Sequence, residues 1–209
     1  MIFTLPTVIA FAFAFIIPFA QGVYLSFCKF TTVDNATFVG LANYKTAFES
    51  GQGFTSALGF TAAFTIISVL TINLLAFTIA LLLTRKVAGT NVFRTIFFMP
   101  NLIGGIVLGY TWQQMINAIL YRYETTIVSN AKFGFWGLVI LMNWQMIGYM
   151  MIIYIAGLQN VPMELIEAAK IDGATPWQTL IKVKVPMVMS SITICMFLTL
   201  SNSFKLFAQ

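Results

Sequence analysis

The chain has 209 residues, 59% of them hydrophobic and 8% charged, with a formal net charge of +5 and a mean hydropathy of +0.90. A soluble domain carries roughly 25% charged residues, so this much apolar surface requires a bilayer as its solvent. The basic residues form no stripe and do not alternate with aromatics, which argues against nucleic acid as a partner. Histidine is absent and the two cysteines, Cys28 and Cys195, lie far apart in apolar runs. They read as small apolar residues, with no metal centre and no disulfide framework.

A spanning helix needs about 20 predominantly apolar residues. Residues 1–28 hold no charge and Lys29 closes the run. It is too long for a cleaved signal peptide, with no basic segment before it and no small-residue cleavage site after it. Uncharged runs recur up to the Arg85–Lys86 pair, between Arg94 and Arg122, from about 133 to 159, and from Met187 to Lys205. The expected spans are about 2–28, 55–84, 95–120, 133–159 and 187–204. All are expected as helices, because backbone exposed to lipid must satisfy its own hydrogen bonds. The fold class is therefore all-α, a polytopic membrane protein with one transmembrane domain over 1–209. Both ends begin or stop in apolar sequence, so both are expected to be trimmed from something longer.

With the N-terminus inside, Arg85, Lys86, Arg94, Lys170, Lys182 and Lys184 fall on the cytoplasmic side, against Lys29, Lys45, Arg122, Lys132 and Lys205 outside. No span carries an Asp, Glu, Lys or Arg in its interior, which argues against a proton-driven carrier. No G-x-x-x-x-G-K-[ST] loop is present to cradle ATP phosphates, so energy for active transport has to come from another subunit.

The segment 160–186 between the last two runs is different. "ELIEAAKIDGATPWQTLIKVKVP" (164–186) holds three of the six acids and three of the eleven bases. Pro162, the early Glu164 and Glu167, and Gly173 mark a short helix, with Glu167 and Lys170 expected as an i,i+3 pair. Thr175–Pro176 supplies an N-cap and an N1 proline for a second helix through about Lys184. Pro186 is expected to open the last span. The alternative is a solvated loop that happens to be helical.

"EAAKIDGATPWQTLIKVKVP" resembles the E-A-A-x-x-x-G-x9-I-x-L-P signature of the membrane subunits of binding-protein-dependent ABC importers. Glu167, Ala168, Ala169, Gly173 and Pro186 match at the right spacing, with Val183 and Val185 for the usual Ile and Leu. "YLSF", "VGLANYKTAF", "RTIFFMPNLIGGIVLGYTWQQMIN", "AGLQNVPMELIEAAKIDGA" and "NSFKLF" resemble the sugar-type branch, that of the maltose and glycerol-phosphate permeases. The branch has one more span, so five of six helices are expected here, and it often has an acid where Ala208 stands. The resemblance implies an inner-membrane permease that performs no chemistry and holds no cofactor, ATP and Mg being bound by a partner ATPase. The implied partners are a cytoplasmic ATPase dimer, a second permease subunit, an extracytoplasmic solute-binding protein, a sugar and membrane lipid. The elbow would be a coupling helix docking in a groove of the ATPase through Glu167, Ala168, Ala169, Asp172, Gly173 and Pro186.

Amides and aromatics in the spans are candidates for a pathway taking a neutral polyol: Gln113, Asn143, Gln145, Tyr149 and Asn202, with Trp112, Gln114, Asn117 and Trp144 nearby. Amides also tie helices together in membranes, and Gly105-x-x-x-Gly109 reads as helix packing. The competing functions are a stand-alone channel or secondary carrier, which leaves the elbow without a use, an ABC permease for a non-sugar solute, and a membrane-embedded enzyme, which lacks a nucleophile with a base near it.

Overall fold

Backbone in lipid has no water to bond to, and nearly all of this chain outside its turns is helical. The computed structural model describes residues 4–32, 35–49, 53–85 and 89–205; Lys86 and Ala208 lie outside them. Residues 1–59 form one compact unit and residues 60–209 another.

In the first unit, α1 (Leu5–Ser26) is long and apolar enough to cross a membrane. A turn of π-helix occupies Ala12–Ile16, just before Pro18. Proline lacks the N–H and its ring crowds the carbonyl four residues back, and the wider turn relieves that crowding. Where α1 ends, its last carbonyls need donors. Asn43, in α2 (Ala42–Phe48), supplies them: its Nδ2 donates to Ser26 O and Cys28 O, both at 2.9 Å. Tyr44 adds a hydroxyl contact with Ser26 at 2.7 Å and a ring contact with Phe27. A two-rung antiparallel ladder, β1 (Cys28–Lys29) with β2 (Thr37–Phe38), closes the loop between them. The A-N-Y of "VGLANYKTAF" is thus a clamp on the end of the first span.

The second unit is organised around α3 (Phe54–Leu83, beginning in the first unit), α6 (Ala131–Gln159) and α9 (Met189–Phe204). Ile72, Ala76 and Ala80 of α3 are fully buried with Met150, Met151 and Tyr154 of α6 and Cys195 of α9. Flexible methionines suit a core of helices whose spacing is set elsewhere by small residues. Phe64 meets Phe135 and Phe77 meets Tyr154, so α3 and α6 run the same way. Cys195 donates to Met150 O and Ser203 meets Met142 Sδ, so α9 runs the opposite way. Those directions agree with the alternation expected of successive spans.

The third expected span differs. The run 95–120 is not one helix: α4 (Thr90–Phe98), a 3-10 turn at Met99–Leu102 and α5 (Gly105–Leu120) meet at a 98° bend. The cause is "MPNLIGG". Pro100 interrupts the helical hydrogen bonding, and Ile103 and Gly104 are extended at ψ 129° and 135°. The 16 residues of α5 reach only about 24 Å at 1.5 Å each. Among the described residues, three helices are long and apolar enough to span, or five if each bent pair is counted as one span.

Glycines on α6 set its neighbours' approach. A Cβ on Gly148 would lie 2.8 Å from Phe98 N and closer still to the Phe97 carbonyl, so α4 ends directly on this glycine. A Cβ on Gly157 would meet Ser191 of α9. The Gly105-x-x-x-Gly109 expectation fares differently: a Cβ on Gly109 meets nothing within 4 Å among the described residues.

Candidate functional site

The elbow consists of α7 (Met163–Ile171) and α8 (Pro176–Met187), joined by four residues. Local chemistry fixes the turn completely. Gly173 takes φ +78°, a region natural to glycine. Its N–H donates to Lys170 O at 3.1 Å and that of Ala174 to Ala169 O at 2.9 Å, the paired bonds of a Schellman cap. Two residues on, Thr175 and Gln178 form a reciprocal capping box: Gln178 N–H donates to Thr175 Oγ1, and Thr175 N–H to Gln178 Oε1. These two caps were legible in "DGATPWQ", and between them they give partners to Ala169 O, Lys170 O and the Thr175 and Gln178 N–H groups.

Pro186 does not open the last span. It sits in the final turn of α8, after a π turn at Leu180–Lys184, and a 71° bend at Val188 separates it from α9. The reason is the one seen at Pro18: the wider turn admits the ring, so the helix continues past the proline. The expected Glu167–Lys170 pair is not formed; both side chains are exposed and form no ion pair within 4.0 Å. Exposed pairs gain little against the entropy of holding two long side chains.

The elbow is anchored on one side and open on the other. Val161 and Thr179 are buried, and Ile166 rests against the core of the second unit. Glu167, Ala168, Asp172 and Gly173 are exposed, with Ile171 87% and Trp177 69% exposed beside them. Ala168, Ala169, Asp172 and Pro186 line one cleft of about 310 Å³ with Leu165 and Lys182. The structure therefore brings together four of the six expected coupling residues, while Glu167 and Gly173 lie on the open outer surface.

The pathway candidates are not gathered in one place. Gln113 lines a cleft of about 370 Å³ between α5 and α6 with Trp112, whose ring meets Trp144 at 5.5 Å. Gln145 is buried, 7% exposed, and Tyr149 is half-buried. Asn143 and Asn202 each donate to a carbonyl one turn back, Val139 O and Leu198 O. The Oδ1 of Asn143 is buried without a partner. Asn117 accepts from Ile127 N–H at 2.9 Å and holds the following loop.

Sequence reading missed a polar knot joining three spans. Tyr154 donates its hydroxyl to Asn73 Oδ1 at 2.7 Å, and Asn73 Nδ2 reaches Thr199 Oγ1 at 3.3 Å. Asn73 is the one amide in the uncharged run 54–84, and an amide there needs a protein partner, which was the available signal. Replacing Asn73 by Leu removes both interhelical bonds and is expected to cost about 1–2 kcal/mol. Tyr154→Phe should cost less, and Asn202→Leu, which breaks only a bond within its own helix, least. Thermal unfolding of the three purified variants checks the order.

Residues 88–209 match the family described as binding-protein-dependent transport system inner membrane component. The chain is 40% identical over 216 residues to the "Probable starch degradation products transport system permease protein AmyD" of Thermoanaerobacterium thermosulfurigenes, covering all of this chain and 74% of that protein. It is 30% identical to the "Multiple sugar-binding transport system permease protein MsmF" of Streptococcus mutans, over 93% of this chain and 70% of the relative. A chain of a bacterial alginate ABC transporter, in complex with its alginate-pentasaccharide-bound periplasmic protein, superposes with a TM-score of 0.76 at 20% identity, over 97% of this chain and 71% of that one. A second alginate importer structure gives 0.78 at 21%. Those two likenesses establish the fold alone. With the family match covering more than half the chain and the whole of this chain aligned to AmyD, the chain belongs to the inner membrane components of binding-protein-dependent transport systems, as a multi-pass permease.

Proposed function

We propose that this chain is the permease of an ATP-driven sugar importer and that α7–α8 is its coupling element, docking on a cytoplasmic ATPase subunit through Glu167, Ala168, Ala169, Asp172, Gly173 and Pro186. The observation that carries the reading is the two-sided build of the elbow. Its inner face is fixed by Val161, Ile166 and Thr179. Its outer face leaves Ile171 and Trp177 open to a partner beside the acid Glu167. A lever has to be stiffer than what it moves, and the double cap at Gly173–Gln178 makes the corner stiff. ATP and Mg are held by the ATPase, a second permease completes the passage, and an external binding protein delivers the solute. The sugar names of AmyD and MsmF support a sugar as cargo.

In the passage, Asn143, Gln145, Tyr149, Gln113 and Asn202 offer amide and phenol groups to hydroxyls. Asn143 is the strongest of them, because its free Oδ1 is an acceptor that lacks a donor. The deciding experiment is cross-linking in the assembled importer. A cysteine at Ile171 should cross-link to the ATPase and to no other subunit. A chain that transports with a proton gradient and no ATPase, and gives no such cross-link, would instead be a secondary carrier.

A further inference from the structure

A second cleft lies on the other side of the elbow, where the end of α3 meets α7 and α8. Its volume is about 280 Å³, and Thr84, Arg85, Lys170, Thr179 and Lys184 are among its lining residues. Three cations thus share one small space, and no acid among the described residues lines it.

Two ordinary explanations for such a cluster fail. The first is ion pairing. The acids of the elbow, Glu164, Glu167 and Asp172, are exposed, Asp172 lines the opposite cleft, and none of the three cations is within 4.0 Å of a carboxylate among the described residues. The second is capping of helix ends, since cations suit a helix C-terminus. At the end of α3 three of the last four carbonyls already have donors: Thr84 N–H bonds Ala80 O, Arg85 N–H bonds Leu82 O, and Thr84 Oγ1 bonds Leu81 O. At the end of α7 the Schellman cap and Asp172 N–H serve Ala168, Ala169 and Lys170. The positive charge is left over.

We propose that this cleft binds a phosphate group, supplied by the headgroup of an anionic membrane lipid. The place selects the source. Arg85 stands two residues beyond an apolar 30-residue helix, so the cleft lies at the level where a spanning helix leaves the hydrocarbon. Basic pockets between spanning helices at that depth suit lipid headgroups. Arg85 offers a planar fork of N–H donors to two phosphate oxygens, and Lys170 and Lys184 add point charges from the elbow. A lipid there would bridge the end of α3 to both arms of the elbow without occupying the face open to a partner.

The test reads bound lipid rather than transport, so it stands or falls independently of the docking proposal. The full permease complex is purified from membranes containing phosphatidylglycerol, and retained lipid is counted by native mass spectrometry. Arg85→Gln and Lys184→Gln should each lower retention about fivefold, the effect expected of one basic side chain near an anionic surface. Lys184→Arg should keep it, and Lys182→Gln, on the opposite cleft, should leave it unchanged. Each variant's melting temperature is measured alongside; a variant that melts like the parent and loses lipid supports the site. Inorganic phosphate is added to delipidated protein as the second arm. If it binds saturably through Arg85 and Lys184 and phosphatidylglycerol does not, the site takes a free anion and the lipid source is wrong. Equal lipid retention in Arg85→Gln, Lys184→Gln and parent, with no phosphate binding, overturns the proposal.

Discussion

Gly148→Ala is expected to destabilise the protein by about 1–3 kcal/mol or more. In an open helix the same exchange stabilises by roughly 1 kcal/mol, because alanine is the better helix former and glycine the looser unfolded chain. Here the sign reverses. The new methyl would lie inside contact distance of the Phe97 carbonyl and 2.8 Å from Phe98 N. These are backbone atoms of α4, so no rotamer change relieves the clash, and the helix end has to move. Gly109→Ala is the matched control, since its Cβ meets nothing within 4 Å among the described residues. Melting of the purified variants should shift down for Gly148→Ala and not for Gly109→Ala. Equal shifts would show that the close approach of α4 to α6 does not exist in the membrane.

Glu167→Lys in the assembled importer is expected to abolish transport, by tenfold or more, while the chain still inserts. Glu167 is exposed and its side chain makes no ion pair among the described residues, so the substitution has little to disturb in the fold. Any loss must arise at a surface the chain offers to something else. Gly173 gives an independent probe of the same corner. Its φ of +78° is tolerated by asparagine and strained for a β-branched residue. Gly173→Val should therefore lose ATPase retention and transport, and Gly173→Asn should keep much of both. Full transport in both Glu167→Lys and Gly173→Val would remove the elbow from the mechanism.

The sequence revealed what depends on local chemistry. The caps at Gly173 and Thr175, the long spans α3 and α6, and the elbow between α6 and α9 follow from turn residues and uninterrupted apolar length. What depends on contact between distant segments was hidden. Gly148 looks like any glycine in an apolar run, because the carbonyl that requires it belongs to Phe97, far away in sequence. Asn73 was passed over for amides in the other spans, although its partners, Tyr154 and Thr199, lie on two different helices. The break at Ile103–Gly104 was masked by hydropathy, which averages over a bend as readily as over a straight helix. Only Pro100 and the Gly104–Gly105 pair carried that signal, and both admit a straight reading.

The π turn at Leu180–Lys184 sets the phase of the elbow. One residue of α-helix is about 100° of rotation and 1.5 Å of rise, and a π turn holds one residue more than the α-turn it replaces. The arm bearing Thr175 and Trp177 is therefore turned by nearly a third of a revolution from where a uniform α8 would aim it. Closing that turn to an α-turn with every residue kept would swing the arm around its own axis and carry Lys182 and Pro186 out of register with Ala168 and Asp172, whereas removing Ile181 at the same time would restore the phase. The spacing between the glycine and the proline of the motif is thus an angular quantity, set by how many residues the wider turn takes up.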